Sequence, residues 1–419
     1  MSTGFIFRTA FIILFFTLLF LSQRFWFRSL WRVSDGWKSV ALRRTVRVVA
    51  VGLLVFLICS LLDRMLLRVL PRGGPLSALL AITQLWMLPS MLAYLMFRLV
   101  TALGWTGFLI KRIVLRTPAT EPVNPSRRVF VRRTAQLAAT LPLAAAAYGF
   151  VSERFAFRVR RTEIPIAGLA PDLDGFKIVQ LSDIHMGDFM PREEVRRAVD
   201  VANSLGAHVA VVTGDLITDE NDPLEACVDE LKRLRAPLGF FGCNGNHEIY
   251  ANAEDTAEQL FLQNGMRMLR HDRTELEWRG GRLNVIGVDY QRDRMTRGPK
   301  RPMLEGVGSL VRRDMPNILL SHNPNSFYKA AELGIELTLS GHTHGGQVQV
   351  EILDKQISPA RFITQFIAGD YRLPLGSAGL QSNLERQAFL YVNRGLGTIG
   401  VPARFAVDPE ITLLTLRRA

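Results

Sequence analysis

Lys177-Ile178-Val179-Gln180-Leu181-Ser182-Asp183-Ile184-His185 sets a short apolar run directly against an acid and a histidine. The same construction recurs four times. His208 to Thr213 leads into Gly214-Asp215, and Gly239 to Cys243 into Gly245-Asn246-His247-Glu248. Asn317 to Leu320 leads into His322, and Leu337 to Leu339 into Gly341-His342-Thr343-His344. Short runs rich in branched aliphatic residues predict strands. Each polar motif is then expected at a strand's C-terminal tip, where open α/β sheets assemble their sites. A single Asp or Asn after a strand is ordinarily a turn residue or a helix cap. Five of the seven histidines fall inside these motifs, so the set is read as one site.

Between the strands lie helical patterns. Pro191-Arg192-Glu193-Glu194 opens one, proline first and acids in the first turn, running to about Leu205. Further helices are expected over Pro223 to Leu234 and Ala253 to Asn264. Strands alternating with helices predict a parallel sheet covered on both faces. Met266 to Leu269, Arg282 to Val288, Ile318 to Ser321 and Leu337 to Ser340 supply a second set of strands, which makes the region mixed α/β. Gln291 to Arg301 is expected as an exposed basic loop. Phe362 to Gln387 reads as a substrate lid or a solvent loop.

Aspartate, asparagine and histidine donors from five strand ends can hold two divalent cations a few ångströms apart, an arrangement suited to attack on phosphorus. The donors are oxygen and imidazole nitrogen without thiolate, which suits Mn, Fe, Zn or Mg. In order and spacing the motifs resemble the calcineurin-like metallophosphoesterase superfamily, whose pattern runs D-x-H, G-D, G-N-H-D/E, H, G-H-x-H. The resemblance covers about residues 161 to 419. It is strongest to bacterial membrane-associated members, on Gly345-Gly346-Gln347 and on the tail Arg394-Gly395-Leu396-Gly397-Thr398 with Pro409-Glu410-Ile411-Thr412.

The resemblance implies a two-sheet sandwich flanked by helices and a dinuclear metal centre. Asp183, His185 and His344 would hold one ion, Asn246, His322 and His342 the other, with Asp215 bridging. His247 would be the catalytic group, binding phosphate or protonating the leaving oxygen, with Glu248 orienting it. The implied activity is phosphoester hydrolysis by metal-activated hydroxide, a phosphodiesterase or pyrophosphatase on a membrane-associated or cell-envelope substrate.

The first third of the chain is different in kind. Of 51 Lys and Arg and 38 acids, residues 1–160 hold 22 and 4, which leaves 29 against 34 for residues 161–419. The basic excess therefore lies outside the globular part, which argues against nucleic acid as a partner. Apolar runs span Gly4 to Ser22, Val48 to Leu62, Pro75 to Phe97 and Thr134 to Val151, with a possible fifth over Leu99 to Ile110. Spanning helices need about 20 mostly apolar residues. The fold expected is thus an α/β catalytic domain (166–419) after an all-α transmembrane region of about four helices (1–151) and a connector (152–165). The lipid bilayer is the expected partner.

Gln23 to Arg47 and Lys111 to Arg133 each carry seven Lys and Arg and one acid, which the positive-inside rule places in the cytoplasm. The N-terminus and the catalytic domain then lie on the external face of a bacterial inner membrane. The three arginines between Asp63 and Arg72 oppose this order. Ser126-Arg127-Arg128-Val129-Phe130-Val131-Arg132 resembles a twin-arginine export signal, and an ordinary cytoplasmic flank would look the same. A cytoplasmic domain would instead fit a UDP-diacylglucosamine hydrolase, which the resemblance also includes. A channel or transporter with a regulatory phosphate-binding domain is the other reading; the spans offer it Gln84 alone near a centre. Cys59, Cys227 and Cys243 are expected as inert thiols, with a Cys227–Cys243 disulfide conceivable.

Overall fold

The computed structural model describes residues 3–62, 75–114, 125–291, 303–347, 350–352, 355–357, 364–376 and 386–419. The loop expected over Gln291 to Arg301, the arginines between Asp63 and Arg72, and much of Phe362 to Gln387 fall outside them. The chain divides into two compact units, one ending at Tyr148 and the other running from Gly149 to Ala419.

The first unit is four helices, α1 (Thr3–Asp35), α2 (Val40–Leu62), α3 (Pro75–Val114) and α4 (Pro125–Tyr148). Each contains a stretch long and apolar enough to cross a membrane. Two expectations change here. The segment read as a loop from Gln23 is helix as far as Asp35, because Phe25 packs on Tyr94 and Phe97, and Trp26 on Trp86. Aromatic contacts thus hold a stretch whose arginines suggested a loop. The run beyond Arg98 is not a fifth helix of its own but the continuation of α3.

Polar side chains join these helices. Gln23 Nε2 donates to Ser90 Oγ (3.0 Å), Trp86 Nε1 to Gln23 Oε1 (2.8 Å) and Trp26 Nε1 to the Ser90 carbonyl (3.0 Å). In hydrocarbon such bonds adhere helix to helix. At the α1–α2 turn Arg47 reaches back to Ser34 Oγ, the Trp31 carbonyl and Asp35.

The second unit is two six-stranded sheets face to face. Its strands are β1 (Arg158–Ile166), β2 (Lys177–Leu181), β3 (Val209–Thr213), β4 (Phe240–Cys243), β5 (Arg267–Met268), β6 (Asp272–Trp278), β7 (Gly281–Gly287), β8 (Asn317–Leu320), β9 (Leu337–Ser340), a small hairpin β10 (Val350–Ile352) and β11 (Lys355–Ile357), then β12 (Gly369–Pro374), β13 (Gln387–Val392) and β14 (Glu410–Arg418). One sheet has the order β1-β14-β2-β3-β4-β5, the other β12-β13-β9-β8-β7-β6. The helices are α5 (Arg192–Asn203), α6 (Leu224–Leu231), α7 (Asn246–Tyr250), α8 (Glu254–Gln263) and α9 (Phe327–Leu333).

Strand periodicity builds the layers. Along β3, Val209 and Val211 face the other sheet, while Ala210 and Val212 face α5, α6 and α8. Along β8, Ile318 and Leu320 point between the sheets and Leu319 points toward α9. The strands that carry the motifs, β2, β3 and β4 in one sheet and β8 and β9 in the other, run parallel to their neighbours in that set. Their C-terminal tips therefore share one end of the sandwich.

Residues Arg158–Ile166, most of them within the stretch read as a connector, form β1, paired in parallel with β14 over its whole length. Its arginines hid it, because at a sheet edge only alternate positions near its end, Ile164 and Ile166, are buried. Cys227 and Cys243 are buried and free, so the conceivable disulfide is not formed. Burial pushes both thiols up, which suits inert core residues.

Candidate metal centre

Asp183, His185, Asp215, His322, His342 and His344 converge at the common end of the sandwich, and Asn246 lies between Gly245 and His247, whose N–H donates to Asp215 Oδ1 (2.9 Å). His185 Nε2 lies 3.1 Å from His344 Nε2, which is 3.4 Å from Asp183 Oδ1. His322 Nε2 is 3.0 Å from Asp215 Oδ2, and His342 Nδ1 is 3.3 Å from His322 Nε2. Three overlapping groups have ligand atoms within 4.8 Å of one another: Asp183, His185 and His344; Asp215, His322 and His342; and His185, Asp215 and His247. Asp215 and His185 each belong to two of them.

Main-chain carbonyls fix which ring nitrogen is available. His322 Nδ1 is 2.6 Å from the Thr213 carbonyl, His344 Nδ1 3.3 Å from that of Gly397 and His247 Nδ1 2.7 Å from that of Thr218. His185 Nδ1 is 3.0 Å from Thr218 Oγ1. In each case Nε2 is left for other work, the usual arrangement around histidine ligands. None of these partners was legible in advance, since three are carbonyls and carry no side-chain signature. Ser182, whose hydroxyl donates to Asp183 Oδ2 (2.6 Å), stood beside the motif and was passed over. Behind it run Thr213 and Gln180, a buried polar chain between the sheets.

Glu248 has a different place from the one expected. Its carboxylate accepts from the N–H groups of Gly245 (2.7 Å), Asp215 (2.9 Å) and Leu216 (2.7 Å). It therefore ties the β3 and β4 tips together, and the Thr218 carbonyl holds the His247 ring. Burial and nearby Asp215 push the Glu248 carboxyl above its ordinary value.

The donor set fits cations. The Asn246 amide oxygen is buried with no hydrogen-bond partner among the described residues, which is costly unless something else satisfies it. Burial drives the His322 imidazole down, but Asp215 and Asp183 outweigh it and lift the ring to about 10. The two buried carboxylates thus favour positive charge between them, which a bound cation can supply. Burial lifts Asp183 to about 6 against the pull of His322. Burial also works against Asp215, which His322, His247 and His185 nevertheless hold well below the carboxylate range. Burial keeps His185 down, to about 3, and His344 as well, in the neutral form that ligands need.

Space at the site excludes side chains. A Cβ on Gly341 would fall 2.0 Å from Ser182 Oγ, and one on Gly245 2.1 Å from Asp215 Oδ1.

The calcineurin-like phosphoesterase family profile matches residues 176–346, from just before β2 to the end of the last motif. YkuE of Bacillus subtilis, described as an uncharacterized metallophosphoesterase, is 31% identical over 299 residues, covering 70% of this chain and 98% of YkuE. The chain belongs to the calcineurin-like phosphoesterases. The zebrafish "transmembrane protein with metallophosphoesterase domain" is 32% identical over 299 residues, covering 68% of this chain and 63% of that protein. The cattle protein of the same description is 31% identical over 270 residues, covering 62% and 57%. The match spans less than two thirds of either vertebrate protein. The chain thus carries a calcineurin-like phosphoesterase domain, preceded in sequence by four apolar helices.

Proposed function

We propose that the chain is a membrane-anchored phosphodiesterase or pyrophosphatase with two divalent ions, Mn, Fe, Zn or Mg, acting on a lipid-linked or cell-envelope phosphoester. The observation that carries the reading is the clustering of Asp183, His185, His322, His342 and His344 with Asp215 in overlapping groups, together with the unpartnered buried Asn246 oxygen. Asp183, His185 and His344 would hold one ion, Asn246, His322 and His342 the other, with Asp215 shared. When bound, such ions generate a nucleophile from water at neutral pH and offset charge on phosphoryl oxygens.

The chain's own residues supply the rest. Two carboxylates against two divalent ions leave a net positive site that favours an anionic substrate. His247, held at Nδ1 by the Thr218 carbonyl, keeps Nε2 for a phosphoryl oxygen or for the proton that the leaving oxygen takes up. The tether supports substrates at the bilayer, because a soluble substrate gains little from an anchored enzyme. The polar groups joining α1 and α3 bond to one another, which supports an anchor over a transport path.

The test uses the full-length chain in detergent with each metal in turn, offered a phosphodiester, a pyrophosphate and a monoester in soluble and lipid-linked forms. Faster turnover of the lipid-linked diester or pyrophosphate is expected. Equal turnover of soluble and lipid-linked substrates would remove the support for the substrate class, and no hydrolysis with any metal would sink the reading.

A further inference from the structure

Arg404 is fully buried, and its Nη2 donates to three main-chain carbonyls, those of Arg394 (2.9 Å), Gly395 (3.0 Å) and Gly397 (2.6 Å). Nε and Nη1 have no acceptor among the described residues. A buried donor left in that condition is destabilising, more so when charged. As a piece of core the side chain is therefore a poor choice, and its value lies in what Nη2 holds.

The three carbonyls belong to a turn laid directly on the Asp183-Ile184-His185 segment. Leu396 N–H donates to the Ser182 carbonyl (3.0 Å) and Gly397 N–H to that of Asp183 (2.8 Å). A Cβ on Gly395 would lie 2.6 Å from Asp183 Cβ, and one on Gly397 2.2 Å from the Ile184 carbonyl oxygen. The Gly397 carbonyl that accepts from Arg404 is also the partner of His344 Nδ1. On the return, Gln347 closes the frame: its amide donates to the Val401 carbonyl (2.6 Å) and accepts from Ile399 N–H (2.8 Å). Phe405 N–H donates to the Gln347 carbonyl (3.0 Å).

We propose that Arg404 is a positioning residue for one half of the metal centre, orienting His344 through the Gly397 carbonyl and bracing Asp183 and His185 through the same turn. The inference rests on the ligand assignment above. Removing the guanidinium loosens the ion held by Asp183, His185 and His344 and spares the one held by Asn246, His322 and His342. Outer partners of ligand histidines are typically worth 10–100-fold in metal affinity. An ammonium lacks the planar fork that Arg presents to several carbonyls, so lysine restores only part of the effect.

The experiment measures Mn²⁺ stoichiometry and both dissociation constants on the full-length chain in detergent, for the wild type, Arg404→Met, Arg404→Lys and Gln347→Met. The expected result is a 10–100-fold loss at one ion for Arg404→Met, a smaller loss at the same ion for Arg404→Lys and Gln347→Met, and an unchanged second constant. On a His344→Ala background Arg404→Met should cost less than in the wild type, since part of its effect runs through His344. Two unchanged constants in Arg404→Met, or equal weakening of both, would overturn the proposal. Should Arg404→Met fail to fold, unchanged constants in Arg404→Lys and Gln347→Met overturn it as firmly. A wild-type chain that takes up no second ion sinks the ligand assignment itself, and this inference with it.

Discussion

Asp183, His185, Asp215, His342 and His344 all hold φ between 48° and 73°, the left-handed region that side chains other than glycine seldom occupy. Each such residue costs of order 1–3 kcal/mol and persists only where its surroundings over-determine it. Among the described residues, five of the eleven non-glycine residues in this region belong to the candidate metal centre, so the strain is concentrated where donors must turn inward. Asp215→Asn should abolish activity and lower metal content, because a neutral amide cannot serve two cations and leaves His322 without its partner at 3.0 Å. His247→Gln should keep both metals while losing about 10²–10⁴ in rate. Metal analysis beside kinetics separates the two. Full activity with two metals in Asp215→Asn would show the site to be misassigned.

At the scale of elements, α5 and α6 are joined by Glu230, whose carboxylate accepts from Arg192 (2.5 Å), Arg196 (2.8 Å) and Arg233 (3.0 Å). The Arg196 bond and its companions hold Glu230 down to about 2 against its burial. A depressed folded value means stability that is present above the unfolded value, about 4.3, and lost as pH falls toward 2. The arginines are about half exposed, so solvent screening makes the contribution smaller than the shift alone implies. Unfolding midpoints between pH 5 and 2.5 should fall more gently in Glu230→Gln than in wild type; identical slopes would show that Glu230 is not the titrating group. The strands that end in motifs were legible because they are buried on both faces and read as unbroken apolar runs. β1 and β6 lie at sheet edges and are rich in charge, as in Asp272-Arg273-Thr274-Glu275-Leu276, so β1 read as a connector and β6 gave no strand signal. Ligand side chains announce themselves in sequence, whereas the carbonyls of Thr213, Thr218 and Gly397 that aim them, and the turn that Arg404 holds, do not.

For the whole molecule the open matter is sidedness. Arg127, Arg128, Arg132 and Arg133 lie in the first turns of α4; the positive-inside rule predicts a cytoplasmic flank there, from which a single crossing would put the catalytic fold outside. Protease added to intact spheroplasts should then digest the C-terminal domain. Full protection before lysis and digestion after it would reverse the topology and favour a cytoplasmic lipid-precursor substrate. The pairing of β1 with β14 bears on how such a molecule is made. Glu163 and Arg417, bonded across those strands, stand 254 residues apart, and β14 lies inside its sheet, between β1 and β2. At about 5–20 residues per second of synthesis, β1 waits roughly 13–50 s for its neighbour. An apolar strand left open that long would recruit other nascent chains. The arginines at 158, 160 and 161, which cost β1 its legibility, would keep such an unfinished edge soluble until the strand that completes it arrives.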